Sequence, residues 1–328
     1  MTGCEKDEIG SYQAGINDLE HENYVGAVEN FELAISEGDN VAEAFRGEGI
    51  TYYRMGKYPE ALQALDKALE LTKEDLSLTG DILSYKAVAQ YKMEDYQGSI
   101  ETCDQKMQLQ KDKDTYFLRG RSYLYLDEYE KADADFDMVA RESVDYEDFI
   151  QIYQVYENNG LKADGEAYLE RAMKLSGETE EDLYNKGRIY YYLEEYEKAA
   201  EELKASYEKG YKEAALYLGK VYVELGKIEE ARTEYEKCLE EDDFRAKAYN
   251  GLAYCDMMEE NYDGALEYIA KGLETQNKEE QRALLFNEIV IYEKKLDFAT
   301  AKEKTTAYLK MYPTDEAAVK EGYFLETR

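Results

Sequence analysis

The chain has 328 residues, with 74 acidic and 40 basic side chains and a formal net charge of −34 at pH 7. Nucleic acids and anionic membrane surfaces are bound through Lys and Arg, so a chain this acidic excludes both as direct partners. No run of 18 or more apolar residues is present, so the sequence also predicts no membrane-spanning helix.

The start of the chain carries a candidate attachment site. Cys4 follows Thr2 and Gly3 and precedes the charged run Glu5–Glu8. This resembles the end of a bacterial lipoprotein cleavage box with its polar tether, and the resemblance implies lipidation of Cys4 and an extracytoplasmic, membrane-anchored bacterial protein. The basic and apolar regions of a signal peptide are missing here, so this interpretation requires a trimmed N-terminus. The alternative is a cytoplasmic protein that natively starts at Met1.

A two-helix pattern follows nine times at a spacing near 34 residues. The residue that opens each second helix is large in most repeats: Tyr24, Tyr58, Tyr96, Tyr129, Lys162, Tyr196, Ile228, Tyr262 and Phe298. Three residues later every repeat has a small residue: Ala27, Ala61, Ser99, Ala132, Gly165, Ala199, Ala231, Ala265 and Ala301. A fixed period in this range predicts stacked helical units, each of which buries its apolar face against its neighbours.

The fourth repeat shows the pattern in full, as Tyr116-x-x-Arg119-Gly120-x-x-Tyr123 followed by Ala132-x-x-x-Phe136. This resembles the tetratricopeptide repeat family over residues 8–313. The resemblance implies an all-α, right-handed superhelical solenoid of about nine units, with residues 1–7 as a tether and 314–328 as a capping helix. Within that cap, Ala317, Ala318 and Phe324 are expected to face the last repeat.

Some repeats depart from the family pattern. The first-helix position that is usually Gly or Ala holds Tyr153 in the fifth repeat and Ile289 in the ninth. The position that is usually Leu is charged in five repeats, as Glu48, Lys86, Arg119, Lys186 and Glu288. Gly56, Gly160 and Gly226 are expected to form the tight turns, with polar pairs such as Glu94-Asp95 in other repeats.

The resemblance implies that the first helices line a concave groove in which a bound peptide lies. Carried over repeat by repeat, the groove positions are Arg46, Tyr53, Arg54, Tyr91, Lys92, Phe117, Arg121, Tyr125, Tyr184, Arg188, Tyr191, Tyr192, Lys220, Tyr254 and Phe286. Arg pairs with carboxylates and Tyr offers a large contact area, so the series predicts binding of a protein segment with acidic and aromatic or apolar residues. The alternative is that these side chains pack between neighbouring helices.

Acidic residues are expected at the first-helix starts, where the helix dipole accounts for them without a ligand: Glu43, Asp81, Asp114, Glu147, Glu181 and Glu213. The Asp133-x-Asp135-x-Asp137 string lies in a predicted helix, where alternate residues diverge, so no calcium site is expected. Cys103, Cys238 and Cys255 occupy helical positions that are apolar or small in other repeats, which predicts buried thiols.

No catalytic, cofactor or metal site is predicted. The sequence has no Gly-rich phosphate loop and no His-Glu-x-x-His string, and His21 is its single histidine. The sequence therefore predicts a non-catalytic interaction scaffold rather than an enzyme. The alternative function is a structural, self-associating part of a bacterial envelope assembly, although a capped C-terminal end favours a monomer.

Members of the family that bind chaperone tails hold a C-terminal carboxylate with Lys, Asn and Arg side chains from three neighbouring repeats. Asn185 and Arg188 occupy eligible positions, but the preceding repeat has Ile150 and Gln154 and the next has Tyr217. The set is incomplete, so the sequence does not predict binding of chaperone tails.

Overall fold

The computed structural model describes residues 9–72, 74–141, 143–175, 177–313 and 315–328. Cys4 and the predicted tether at 1–7 lie outside these residues, so the lipidation site stays a prediction. About 80% of the structure is helical, and no strand occurs in the described ranges. This confirms the all-α prediction.

The described residues form nineteen α-helices and one 3₁₀ turn at Cys238–Glu240. The α-helices are α1 (Ser11–Glu20), α2 (Tyr24–Glu37), α3 (Val41–Arg54), α4 (Tyr58–Leu71), α5 (Leu76–Lys92), α6 (Tyr96–Leu109), α7 (Lys113–Tyr125), α8 (Tyr129–Ala140), α9 (Tyr146–Asn158), α10 (Lys162–Ala172), α11 (Glu180–Tyr192), α12 (Tyr196–Glu208), α13 (Ala214–Glu224), α14 (Ile228–Lys237), α15 (Asp242–Met258), α16 (Tyr262–Glu274), α17 (Lys278–Lys294), α18 (Phe298–Met311) and α19 (Glu316–Glu326).

The helices form two compact units, residues 1–168 and 169–328. Consecutive helices pack as pairs, so the odd-numbered helices from α1 to α17 are the first helices of the repeats. In the first unit, α3 contacts α1 and α5, and α5 contacts α7. In the second unit, α13 contacts α11 and α15, and α15 contacts α17. In the first unit α1, α3, α5 and α7 therefore form a continuous surface, and in the second α11, α13, α15 and α17 do so.

The turn inside each repeat has the same backbone conformation. Two positions before each second helix, the backbone is left-handed with positive φ, at Glu22, Gly56, Glu94, Asp127, Gly160, Glu194, Gly226, Glu260 and Leu296. The next residue often caps the second helix: the Asn23, Asp95 and Asn261 side chains accept hydrogen bonds from backbone N–H groups of the first turn. The turn predictions at the three glycines and at Glu94-Asp95 are confirmed.

The small residues at the repeated second-helix position are all buried. On the first helix of the same repeat, the glycine at the usual small position also has no space for a larger side chain. A Cβ on Gly187 would lie 2.5 Å from Leu203 Cγ, and one on Gly120 would lie 2.9 Å from Phe136 Cε1. The close approach of the paired helices therefore explains why Gly120 and Gly187 are not replaced by larger residues in their repeats.

Ion pairs account for several charges at the usual Leu position. Lys86 Nζ lies 2.6 Å from Asp66 Oδ1 on the preceding second helix, and Lys304 Nζ lies 2.7 Å from Glu288 Oε1. Arg119 donates two hydrogen bonds to Asp135, at 2.8 and 2.7 Å. The departures from the family pattern thus replace apolar packing with charge pairs between helices.

The prediction that Asp81 lies at a first-helix start is wrong. The interval from Tyr58 to Tyr96 is 38 residues, longer than the usual spacing near 34. The extra residues extend α5 at its N-terminal end, so this helix begins at Leu76 with Asp75 as its cap. Asp81 therefore lies inside α5, where its carboxylate pairs with Arg46 of α3.

The predicted cap at the C-terminal end needs one correction. Ala318 and Leu325 of α19 are buried against the last repeat, whereas Ala317 and Phe324 are exposed. Positions 318 and 325 are seven residues apart and therefore share one face of the helix. Leu325, rather than Phe324, is the large side chain that anchors α19.

Candidate functional site

Three of the fifteen candidate groove residues fit the packing alternative. Tyr91 and Tyr184 are only 7% and 5% exposed. The Phe286 ring packs against Tyr308, with centroids 5.8 Å apart. These rings support their neighbours, and they offer little surface to a ligand.

Three of the basic candidates have local roles. Arg46 pairs with Asp81. Burial disfavours the charged form of Arg46, but the Asp81 carboxylate outweighs this effect, so the pKa of Arg46 is raised. Arg54 and Lys92 are exposed in the last turns of α3 and α5, where a cation is favourable to the helix dipole.

The remaining candidates of the first unit surround one arginine. We call Tyr53, Tyr91, Phe117, Arg121 and Tyr125 the Arg121 cluster. The guanidinium carbon of Arg121 lies 4.5 Å from the Tyr91 ring centroid and 5.7 Å from that of Phe117. Its Nε is buried without a hydrogen-bond acceptor, and within the described residues no carboxylate forms an ion pair with it. The cluster therefore holds a cation on aromatic rings rather than on an acid.

Tyrosines extend this cluster to the protein surface. Tyr125 is 44% exposed and stacks on Tyr96, with centroids 4.6 Å apart and an interplanar angle of 6°. The edge of the Tyr91 ring also contacts Tyr125, at 5.8 Å. Burial raises the pKa of Tyr91 although Arg121 opposes this, so its phenol stays neutral beside the cation. The result is a continuous aromatic surface around one positive charge.

In the second unit, two cations share one ring. We call Tyr184, Arg188, Tyr192, Tyr217 and Lys220 the Tyr217 cluster. The guanidinium carbon of Arg188 and the Nζ of Lys220 lie 5.5 and 4.7 Å from the Tyr217 ring centroid. The Tyr192 and Tyr217 hydroxyls are 3.5 Å apart. These side chains come from α11 and α13, two successive first helices.

The local potential of the Tyr217 cluster is positive. Burial alone would raise the pKa of Tyr217, but Lys220 and Arg188 outweigh it, and the pKa is lowered from its usual value near 10. The neighbouring Tyr191 behaves in the opposite way, because burial and the nearby Glu224 raise its pKa to about 12. The cations therefore dominate at Tyr217, whereas burial and a carboxylate dominate at Tyr191.

The last candidate, Tyr254 on α15, is 44% exposed and lies near Tyr191. Sequence reasoning missed Tyr96 and Tyr217 as members of these surfaces. The sequence did contain a signal for Tyr96. A tyrosine recurs five residues before the tyrosine that opens a second helix, and the two rings contact each other across the turn. The Tyr91 and Tyr96 ring centroids are 5.4 Å apart. Tyr217 had no such signal, since its role depends on cations from two helices.

Other chemistries have little support in the described ranges. They contain no group of three or more His, Cys, Asp or Glu side chains arranged for a metal ion, and none of their helices is both long and apolar enough to cross a membrane. The predicted burial of Cys103, Cys238 and Cys255 is confirmed. Burial raises their thiol pKa values to about 12, 12 and 11, which makes them poor nucleophiles at neutral pH.

Comparison with known families supports the repeat assignment. Family models described as tetratricopeptide repeat match residues 42–75, 184–242 and 216–280. Over these residues the chain contains tetratricopeptide repeats. The matched residues include most of α3 and α4 in the first unit and the helices from α11 to α16 in the second.

The curated relatives are distant. Hsp70-Hsp90 organizing protein 3 of Arabidopsis thaliana is 24% identical over 248 residues, covering 72% of this chain and 43% of the relative. A TPR repeat-containing protein of Methanocaldococcus jannaschii is 26% identical over 251 residues, covering 70% of this chain and 43% of the relative. The chain thus spans about two fifths of the length of the curated relatives it matches.

Two solved structures are also similar. A tetratricopeptide repeat protein from Parabacteroides merdae is 15% identical with a TM-score of 0.49, covering 74% of this chain and 96% of that one. The complex of the TPR2AB domain of yeast Sti1 with pHSP90 is 16% identical with a TM-score of 0.33, covering 87% and 96%.

Proposed function

We propose that the protein is a non-catalytic scaffold whose first-helix surface binds a segment of another protein. The segment is extended or helical and carries acidic residues beside aromatic or apolar ones. The observation that carries this proposal is Arg121, which lies on the rings of Tyr91 and Phe117 without an acidic partner in the described chain.

Arg121 differs from several other arginines of this acidic protein. With 74 acidic residues available, Arg46, Arg119, Arg232 and Arg282 each pair with a carboxylate of the chain. Arg121 does not, and its buried Nε–H is left without an acceptor. The Arg121 guanidinium lies over two rings and has no carboxylate partner in the described chain, so a carboxylate from a binding partner could form a charge-assisted pair with it. The exposed Tyr125 beside it supplies apolar contact area for the neighbouring residues of that segment.

The relatives support the class of function and not the partner. The organizing proteins are named for two other proteins, Hsp70 and Hsp90, and we propose that this chain shares protein binding with them. Binding of the same chaperone tails is not part of the proposal, because the carboxylate-holding set is interrupted by Ile150, Gln154 and Tyr217.

The test uses an array of synthetic peptides in which Asp or Glu alternates with Tyr, Phe or Leu. Peptides that bind the wild-type protein are then measured against Arg121→Ala. We expect affinity to fall by about 1–3 kcal/mol, mainly through faster dissociation, because a desolvated charge pair is lost. Stability should change little.

Arg54→Ala is the matched control, since it removes an exposed arginine from the same unit and leaves the Arg121 cluster intact. Its affinity should stay within about 0.5 kcal/mol of wild type. If the array contains no binder, or if Arg121→Ala binds as tightly as wild type, the proposal is wrong.

A further inference from the structure

The C-terminal helix α19 is held on the last repeat by two contacts of different chemistry. At its start, Asp315 accepts hydrogen bonds from Arg282 Nε and Nη2 of α17, at 2.9 and 2.7 Å, and from the Tyr308 hydroxyl of α18. It also accepts the backbone N–H of Ala318 at 3.2 Å. Burial alone would raise the pKa of Asp315, but these donors outweigh it and the pKa is lowered. This first contact therefore keeps its charge between pH 5 and pH 8.

Further along α19, two carboxyl groups face each other. Glu321 is half-buried and lies within hydrogen-bonding reach of the Glu293 carboxyl of α17. It comes three residues after Ala318 and four before Leu325, which are both buried, so the three side chains share one face of the helix. The carboxyl pair is therefore part of the surface by which α19 packs on the last repeat.

The described surroundings of the pair supply little positive charge. Glu293 Oε1 is buried, and no donor among the described residues reaches it. Lys294, its neighbour on α17, only partly opposes the effect of burial on Glu293. Lys304 of α18 pairs with Glu288 at 2.7 Å, and Lys320 of α19 is exposed. Two carboxyl groups share a hydrogen bond only when one of them holds a proton, so this contact depends on protonation.

We propose that Glu293 and Glu321 form a pH-sensitive switch, which holds the C-terminal part of α19 on the last repeat in mildly acidic solution and releases it as the pH rises to neutral. Burial and the Glu321 carboxyl raise the pKa of Glu293 to about 7, whereas an exposed glutamate titrates at about 4.3. The contribution of the pair to docking is therefore full below about pH 4.3 and is lost as the pH rises through about 7. Asp315 still fastens the first turn over this range.

Release of the helix uncovers apolar side chains at the end of the last repeat. Leu325 belongs to one buried cluster with Ile289 of α17 and Tyr308 of α18. Terminal repeats depend on a cap to keep such side chains from solvent. The switch therefore controls access to the C-terminal end of the second unit. It goes beyond the proposed function, because it does not involve the Arg121 cluster.

The test is backbone hydrogen exchange of the full chain at pH 5 and pH 8. Each exchange rate is compared with the intrinsic rate at the same pH, which gives a protection factor. We expect the protection factors of amides 321–326 to fall at least about 10-fold at pH 8, because each unit of pKa shift changes the docking equilibrium about 10-fold. The Ala318 amide, which donates to Asp315, should change less and serves as an internal reference.

Glu293→Gln is the decisive variant, because glutamine keeps the size of the side chain, can donate to Glu321 and cannot ionise. Its α19 should be as protected at pH 8 as at pH 5. Glu321→Gln tests the same contact from α19 and should give the same result. Glu326→Gln is the matched control, since it removes an exposed carboxylate from the end of the same helix and should keep the pH dependence of wild type.

Three results would overturn the proposal. The first is equal protection of amides 321–326 in wild type at both pH values. The second is a pH difference that persists in both Glu293→Gln and Glu321→Gln. The third is loss of the difference in Glu326→Gln, which would assign the effect to the total charge of α19 rather than to the carboxyl pair.

Discussion

The two clusters show how one repeat framework presents different chemistry. In the first unit, a single arginine lies on Tyr91 and Phe117 without an acid. In the second unit, one tyrosine lies beside Arg188 and Lys220. The helices that carry these residues pack through the same small positions in both units. The repeat therefore fixes the backbone, while the side chains on the first helices decide how much charge each surface offers.

A second contrast lies within α7. Arg119 and Arg121 are two residues apart and point in different directions on the helix. Arg119 is held by Asp104 and Asp135, and its hydrogen bonds to Asp135 raise its pKa. Arg121 lies on aromatic rings instead. Two neighbouring arginines thus serve different purposes, one in the packing of the repeats and one in the candidate binding surface.

The largest expected effect comes from testing the difference between Arg119 and Arg121. Arg119→Ala leaves the Asp135 side chain, only 5% exposed, without its two hydrogen bonds. Because an uncompensated buried charge is costly, we expect the free energy of unfolding to fall by about 3 kcal/mol. Arg121→Ala should lose less than about 1 kcal/mol. Urea unfolding midpoints of the two variants measure the difference.

Arg119→Ala/Asp135→Leu is the control for that pair, since it removes both charges and should regain much of the lost stability. Equal destabilisation by Arg119→Ala and Arg121→Ala would contradict the distinction. Arg121 would then be a packing element, and recognition would have to lie elsewhere on the protein.

A smaller effect sharpens the claim that the framework is the same in both units. Ala132→Leu in the first unit and Ala199→Leu in the second each enlarge a fully buried side chain at the repeated small position of the second helix. Overpacking should cost about 1–3 kcal/mol in each case, and the two values should be similar. Thermal unfolding of both variants gives the comparison.

Val25→Leu is a suitable control, because this α2 side chain is 63% exposed and its enlargement should be neutral. If one of the two buried substitutions left the unfolding midpoint unchanged, the repeat register in that unit would be wrong.

The sequence predicted the framework well because its signals are local and periodic. A small residue three positions after each second-helix start and a turn two positions before it recur in every repeat, so packing and turn geometry follow from the spacing. The same reasoning misplaced Asp81, because the extra residues between Tyr58 and Tyr96 extend α5, which begins at Leu76. A length change in one repeat has no periodic signal that would show where it is absorbed.

The candidate surfaces were less predictable, because they depend on which side chains meet across helices. Arg46 and Arg121 are alike in sequence, yet Arg46 finds Asp81 on the next first helix and Arg121 finds only rings. Tyr217 appeared in the sequence only as a residue that interrupts a family motif. Its position beside Arg188 and Lys220 became visible when α11 and α13 were placed side by side.

The smallest expected effect tests the electrostatic contrast between the clusters. Burial raises the folded-state pKa of Tyr91, whereas Lys220 and Arg188 lower that of Tyr217 despite burial. An unfolded tyrosine titrates near pH 10. Because proton binding is linked to folding, the two tyrosines make stability change with pH in opposite directions. The contribution of Tyr91 to the free energy of unfolding is full below about pH 10 and is lost as the pH rises further. The contribution of Tyr217 is present above about pH 10 and is lost as the pH falls through its lowered pKa.

Tyr91→Phe and Tyr217→Phe separate the two contributions, because phenylalanine keeps the ring and cannot ionise. We expect wild type to lose stability relative to Tyr91→Phe between about pH 9 and about pH 11, and to gain it relative to Tyr217→Phe over the same range. Denaturant unfolding at several pH values measures both differences. If both differences change with pH in the same direction, the potential at Tyr217 is no more positive than that at Tyr91. The second cation would then have no electrostatic consequence, and the two clusters would be chemically alike.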